Sequence, residues 1–573
     1  MGWLAAPGGN PAFSGRAALT GRAAPAYPPL VADPLPIDAV LPELVAALQA
    51  DRQAVLQAPP GAGKTTRVPL ALLDAGLTEG RILMLEPRRL AARAAAERMA
   101  ATLGAEVGGT VGYRIRGEAR VGRATRIEVV TEGILTRMLQ DDPGLDGVGA
   151  ILFDEFHERS LNADLGLALA LEVRGALRDD LMLLPMSATL DAAPVAVLMG
   201  GAPVVTAQGR AWPVDIVHLH APPATGRRLE EAVADLIRRA LGETDGGVLA
   251  FLPGEAEIRR TAAALGEPGP RVTVHPLFGA MPFGAQRAAI APAPSGSRKV
   301  VLATAIAETS LTIEGVGAVV DAGRARRARF DPRSGMSRLV TERVSRAEAT
   351  QRAGRAGRLG PGRCYRLWTR GEEGALPAFP PAGIEIADLA PLALELALWG
   401  DPDGSALPFL TPPPEGALAE ARALLERLGA VDAAGRVTDH GAALARLPVH
   451  PRLGHMLLRA GRGAAPLAAL LSERDPLRGA PVDARHRLKA LRGDRDVPGE
   501  INRGALERIR AEATRLARLA PGPRGLHARP PRPLRWPIPT ASGCAGRAMR
   551  RGGCSRAARA RRWSRATRSP GSG

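Results

Sequence analysis

Val55-Leu-Gln-Ala-Pro-Pro-Gly-Ala-Gly-Lys-Thr-Thr66 passes from an apolar strand through a glycine-rich turn into a helix-forming stretch. From Ala58 to Thr65 it fits the phosphate-binding P-loop pattern, with Ala58 in place of the first glycine. In such a turn the backbone N–H groups of Gly61, Ala62, Gly63, Lys64 and Thr65, with Thr66 beside them, wrap phosphates at a helix N-terminus. Lys64 can reach the β- and γ-phosphates and Thr65 can hold Mg²⁺. The strand–loop–helix order also points to an α/β domain, where such loops join parallel strands to the helices that cover them.

Outward from this stretch the same alternation continues. The apolar runs beginning at Ala54, Arg81, Ile127 and Ala150 alternate with helical stretches such as 90–103, which predicts one parallel-sheet domain over residues 34–206. A helix over 227–241 and strands over 247–251 and 299–303 predict a second α/β domain over 207–372. Beyond the Pro/Gly-rich 371–383, apolar residues recur at three- and four-residue spacing over 384–399 and 415–428. A hairpin-like stretch, 429–438, follows, so 373–440 reads as a winged-helix-like module and 441–520 as a helical, ratchet-like region. Residues 1–33, rich in Gly, Ala and Pro, read as a disordered leader or a misplaced start.

A P-loop alone is shared by kinases, GTPases and transport ATPases, so the next motifs decide. Ile151-Leu-Phe-Asp-Glu-Phe-His-Glu158 puts Asp154 and Glu155 at the end of a buried strand. There the first carboxylate can hold the metal ion and the second can take the proton of an attacking water. Ser187-Ala-Thr189 supplies hydroxyls at another strand end. In Gln351-Arg-Ala-Gly-Arg-Ala-Gly-Arg358 the spacing predicts Arg352, Arg355 and Arg358 on one helical face, where a triphosphate across a domain cleft would meet them. A solvated basic face is the alternative reading of that stripe.

Composition narrows the setting. No apolar run is long enough to span a membrane, the start lacks the order of a signal peptide, and a cytoplasmic protein with no membrane partner is expected. Cys364, Cys544 and Cys554 are too few and scattered for a disulfide framework or a structural metal. The net charge of +18 comes largely from residues 521–573, which hold 13 arginines and no acid; the remainder carries only +5. A mildly basic body fits nucleic-acid binding without requiring it.

Taken together, the P-loop, Asp154-Glu-Phe-His157, Ser187-Ala-Thr189, the stretch Thr304 to Ile313 and Gln351 to Arg358 occur in the order found in DEAH-box helicases of superfamily 2, which the chain resembles over about 34–520. Phe156 and Ala328-Arg-Phe-Asp-Pro-Arg-Ser-Gly335 resemble the bacterial HrpB branch of that family. The resemblance implies tandem RecA-like P-loop domains followed by a winged-helix and a helical region. It implies ATP and Mg²⁺ in the cleft between the lobes, and single-stranded RNA or DNA crossing both lobes on the opposite surface.

Residue by residue, it implies Glu155, Gln351, Arg355 and Arg358 as catalytic groups, Asp154 and Thr65 at the metal, and His157 coupling hydrolysis to Ser187 and Thr189. Arg88 and Arg89 in Glu86-Pro-Arg-Arg89, and Thr131, Glu132 and Gly133, would touch the nucleic-acid backbone from the first lobe. Pro253, Gly254 and Thr304 would do so from the second. Ile290 stands where relatives place a base-stacking Phe, with Arg98 opposite, and Ala305 replaces the family's usual Asn.

Residues 521–573 depart from that family. At the acid content of the first 520 residues, this stretch should hold about six acids; it holds none, while two of the three cysteines fall in it. The tail therefore reads as the product of a shifted reading frame, the rival being an arginine-rich nucleic-acid-binding arm.

Overall fold

Strands that are apolar along their whole length need cover on both faces, and crossover helices supply it. The computed structural model describes residues 35–188, 192–208, 212–308, 313–358, 360–494 and 496–521. Its first lobe is an eight-stranded sheet of β1 (Val55–Gln57), β2 (Arg81–Leu85), β3 (Val111–Ile115), β4 (Glu118–Arg120), β5 (Ile127–Val130), β6 (Val148–Phe153), β7 (Met182–Ser187) and β8 (Val204–Thr206). The order is β4-β3-β5-β2-β6-β7-β1-β8, parallel except between β3 and β4. All six residues of β6 are buried, as its unbroken apolar run requires.

The second lobe repeats the design with β9 (Val214–Leu219), β10 (Gly247–Phe251), β11 (Val272–Leu277), β12 (Arg298–Ala303), β13 (Val316–Asp321) and, after a hairpin, β16 (Gly362–Thr369). Its order is β11-β12-β10-β13-β16-β9, all parallel. The hairpin, β14 (Arg324–Asp331) and β15 (Met336–Arg343), stands outside both sheets. Parallel strands deliver their following loops to one edge of the sheet, which is where ligands of such folds bind.

The region after the second lobe packs back onto the first. Leu392, Leu396 and Leu425 share one apolar core with Phe153, Leu165 and Leu169, and the Trp399 indole N–H donates to Glu172 at 2.6 Å. The helix expected over 384–399 is two, Gly383–Ile386 and Ala390–Trp399. The break has a local cause: the Asp388 carboxylate accepts the Ala390 amide at 2.9 Å, and Pro391, in the first turn of the second helix, has no N–H to give the Ala387 carbonyl that a continuous helix would aim at it. The hairpin expected over 429–438 is reduced to a single bridge, Val431 to Val437.

Residues 451–519 are helical around Leu457, Ile509 and Leu516, with one addition that the sequence pattern did not reveal. Strands β17 (Leu477–Arg478) and β18 (Glu500–Ile501) pair antiparallel beside the last helix, Arg503–Leu519. The expected leader over 1–33 and residues 522–573 of the expected tail lie outside the described residues, as does Thr189. No described helix is long and apolar enough to cross a membrane.

Candidate nucleotide cleft and nucleic-acid face

Strand β1 ends in a turn that needs left-handed backbone at Gly61 and Gly63, with φ of 85° and 97°, a region that side-chain-bearing residues avoid. Gly63 then caps the helix Lys64–Asp74, so the first helical N–H groups face the turn. Strand β7, paired with β1, closes the turn from behind: the Ser187 carbonyl accepts the Ala58 amide at 2.9 Å.

Strand β6, two places from β1, brings Asp154 and Glu155 to the same edge. The Thr65 hydroxyl donates to Asp154 at 2.6 Å, and the Lys64 ammonium contacts Glu155 at 2.8 Å and Asp154 at 3.8 Å. All four side chains are buried or nearly so. Burial alone would lower the Lys64 pKa, but Glu155 and Asp154 outweigh it and hold it above its ordinary value. Burial pushes Asp154 up to about 6 against the pull of Lys64. Glu155 goes the other way, to about 2, because Lys64 and then His157 overcome its burial. Glu86, at the end of β2, lies under the same cluster; burial and the charges of Asp154 and Glu155 raise it well above the carboxylate range.

Glu155 and Arg159 both have left-handed backbone, with φ of 51° and 47°, and they bracket the turn Phe156–Glu158. Such non-glycine residues cost about 1–3 kcal/mol each and persist where surrounding contacts hold them. Here the contacts are numerous. His157 Nδ1 accepts the Ala188 amide at 3.3 Å, and His157 Nε2 lies 3.0 Å from the Gln351 amide across the lobe boundary. Burial lowers His157 to about 4, so the ring is neutral near pH 7. Its Nδ1 also lies 3.4 Å from the Glu155 carboxylate, so one ring touches the acid pair, strand β7 and the second lobe. Arg159 pairs with buried Asp164 at 2.9 Å and donates to Thr411 at 2.8 Å, and its carbonyl accepts the Gly383 amide. The Ser160 hydroxyl donates to Glu132 at 2.5 Å.

The arginine stripe is corrected by the structure. The helix carrying Gln351 ends at Ala353, and residues 354–358 form turns, so the three arginines do not share a helical face. Glycine is a poor helix former, and Gly357 is wedged so close to the Trp212 carbonyl that an added Cβ would lie 2.5 Å from it. Arg352 is 1% exposed and spent inside the lobe, pairing with Asp321 at 2.7 Å and with Glu308, its guanidinium 5.1 Å from the Phe251 ring centroid. Arg358 faces the first lobe, and Arg355, held on its own lobe, is near enough to Glu155 for its charge to lower that carboxylate. Arg355 donates to the Glu308 carbonyl, and a Cβ placed on Gly61 would stand 3.6 Å from the Arg358 guanidinium carbon. Burial and the nearby Arg358 charge hold Arg355 well below its usual pKa, and burial lowers Arg358 to about 10.

The residues assigned to nucleic acid sit at the carboxyl ends of neighbouring strands, β2 and β5 in one lobe and β10 and β12 in the other. Arg89 and Gly133 are exposed, Thr131, Glu132 and Thr304 half-buried, and Pro253 and Gly254 buried. Arg88 is turned elsewhere: it pairs with Glu158 at 2.8 Å and donates to the Ile306 carbonyl at 3.3 Å. The hairpin supplies a residue that sequence reasoning missed, Arg326, which packs on Gly254 and pairs with Glu257 at 3.0 Å. The arginine-dense Arg324-Ala-Arg-Arg-Ala-Arg329 was the available signal for that strand. Arg98 is exposed near the end of its helix, while Ile290 packs on the core of the second lobe. Between the second lobe and the helical region lies a cavity of about 960 Å³, lined by Arg259, Arg474, Arg478 and Arg508 beside Phe278 and Met281.

Among known proteins, a family model described as DEAD/DEAH box helicase matches residues 40–197, and one described as helicase conserved C-terminal domain matches 229–360. The chain is 49% identical over 445 residues to the ATP-dependent RNA helicase HrpB of Escherichia coli K12, which covers 77% of this chain and 55% of that protein. Two solved structures, described as the DEAH/RHA helicase HrpB and the DExH-box NTPase HrpB of E. coli, match with a TM-score of 0.76 and 45% identity. They cover 85% and 86% of this chain and 60% of their own. The chain thus spans little more than half the length of these relatives. Motif order, tandem parallel sheets and these matches agree: the chain belongs to the DEAD/DEAH-box helicase family.

Proposed function

We propose that the chain is an ATP-driven RNA helicase or translocase that hydrolyses ATP between its two lobes. The single observation that carries this reading is the assembly across the lobe boundary, where Gln351 meets His157 and Arg358 faces Gly61 of the phosphate turn. In a nucleotide complex Lys64 would exchange its carboxylate partners for phosphate oxygens, freeing Glu155 to accept a proton from water. Arg355 and Arg358 would meet the charge that develops on the transferred phosphoryl group.

Mg²⁺ fits the site. Thr65 and Asp154 offer a compact pair of oxygen ligands, and among the described residues no cluster of three or more His, Cys, Asp or Glu forms a closed protein cage. A cation of this kind takes its other ligands from phosphates and water, and would offset charge between the phosphates.

RNA is favoured over DNA because the similar E. coli protein is described as an RNA helicase. The arginine-lined cavity and the strand-end loops suit a single strand gripped mainly by its backbone. The same reading divides the chain near residues 206, 372 and 440, and places Arg98 and Ile290 about the base. ATPase rates measured alone, with single-stranded RNA and with single-stranded DNA test it. Stimulation by RNA above DNA supports it, equal stimulation favours a DNA-directed translocase, and ATP binding without turnover would leave a non-hydrolysing clamp.

A further inference from the structure

We propose that Arg88 is a positioning residue that latches the two lobes across the cleft, not a strand contact. The proposal rests on the function proposed above. One guanidinium reaches two short turns, one from each lobe. Its Nη2 lies 2.8 Å from Glu158 Oε1, at the end of the turn Phe156–Glu158, and its Nη1 donates to the Ile306 carbonyl at 3.3 Å, in the turn Ala305–Ala307.

Both turns belong to the reaction site. The first carries His157, which meets Gln351, and follows directly on Glu155. The second runs into Glu308, whose carbonyl accepts from Arg355 and whose carboxylate holds Arg352. Arg88 therefore stands between the segment that sets Glu155 and the segment that sets Arg355. Its charge is felt at both ends, depressing the pKa of His157 and of Arg355 after larger contributions from burial.

The geometry assigns different jobs to the two contacts. Glu158 and Arg88 share a lobe, so their pair survives opening of the cleft. The Ile306 contact crosses the boundary and is lost when the lobes part. A guanidinium suits this task because its planar fork serves two acceptors in fixed directions, which a lysine ammonium on a flexible stem does not. Half-buried, with side chains 30% and 23% exposed, the Arg88–Glu158 pair also keeps the guanidinium aimed at the second lobe.

The test uses the full chain and three variants, Arg88→Lys, Glu158→Gln and the double variant. Three quantities are read: affinity for a labelled single-stranded RNA without nucleotide, KM for ATP, and kcat at saturating RNA. A latch predicts that each single variant lowers RNA-saturated kcat by about tenfold, the size of a typical coupling between sites. Nucleotide-free RNA affinity should stay within about twofold, and the double variant should be little worse than either single one. A structural defect alone would lower the melting temperature and the active fraction rather than split kcat from RNA affinity. Glu158→Gln, nearly isosteric, carries the test if Arg88→Lys folds poorly. The latch is overturned if Arg88→Lys weakens nucleotide-free RNA binding while Glu158→Gln leaves kcat untouched, which makes Arg88 a strand contact. It is equally overturned if neither variant changes kcat.

Discussion

The two lobes share a fold but bring opposite charges to the cleft. The first contributes Glu86, Asp154 and Glu155 around a single Lys64, and the pKa values of Glu86 and Asp154 are driven up. The second contributes Arg355 and Arg358, whose pKa values are driven down. Each half is strained in the way that buried like charges are strained, and in opposite directions. On the function proposed above, a nucleotide bringing phosphates and a divalent cation would relieve both halves at once, which would tie closure of the lobes to its binding.

The first way to break this contrast is to remove the groups that join its halves to chemistry. Lys64→Ala and Glu155→Gln should each abolish measurable turnover. Glu155→Gln should still bind ATP, because in the proposed reaction Lys64 leaves this carboxylate for the phosphates and Glu155 is asked only to take the proton of the attacking water. Equilibrium binding of a fluorescent nucleotide beside a turnover assay checks both. Near-normal turnover by Glu155→Gln would remove the base from the scheme.

On the cationic side, Arg355→Ala and Arg358→Ala should lower kcat by ~10³-fold or more, since their charge is offered chiefly to the transition state. Strand affinity should change little. Normal hydrolysis with weakened strand binding in both variants would return these arginines to the solvated basic face considered for the sequence.

A smaller effect concerns the base. If Ile290 covers the base as proposed, it would provide contact area without the face of an aromatic ring or edge-specific hydrogen bonds, so rates with ATP, GTP, CTP and UTP should be similar. Steady-state kcat/KM for the four nucleotides measures this. A strong ATP preference insensitive to substitution of Ile290 or Arg98 contradicts the placement.

The smallest expected effect is on stability. Burial raises Glu132 from 4.5 to about 7 despite the Ser160 hydroxyl, so the folded chain holds a proton there that the unfolded chain has released. Its contribution to stability is therefore full below about pH 4.5 and is lost as pH rises through about 7. Thermal unfolding of Glu132→Gln should show a flatter pH profile across that window, by a few degrees, on the order of 2–4 °C per kcal/mol. An unchanged profile would mean that Glu132 ionises in the fold as freely as in the unfolded chain.

Much of the cleft was legible because its chemistry is written in consecutive residues. A phosphate turn between a strand and a helix, or two acids at the end of a buried run, depends on backbone geometry within one loop. Residues 58–66 and 151–158 could therefore be read directly, and the alternation around them announced two parallel sheets. The hairpin over 324–343 escaped because its two strands are arginine-rich and largely unburied, and the pair β17 and β18 because two-residue strands take their meaning from partners, not from an apolar period.

The chain by itself determined the strand and helix order, the phosphate turn, the acid pair and the presence of two α/β lobes, since each is dictated by local backbone preference and by the period of apolar residues. Tertiary structure alone decided which of three equally spaced arginines reach the cleft between the lobes. Arg352 meets Asp321 and Glu308 inside its own lobe, whereas Arg355 and Arg358 pass a glycine-broken helix end and reach the cleft. It also sent Glu86 beneath the cleft and Arg88 across it, though both stood in a segment assigned to the strand. The physical reason is that a charged side chain is defined by its partner. The partners here, such as Ile306 for Arg88 and Gln351 for His157, lie roughly two hundred residues away along the chain and become neighbours only when the lobes pack.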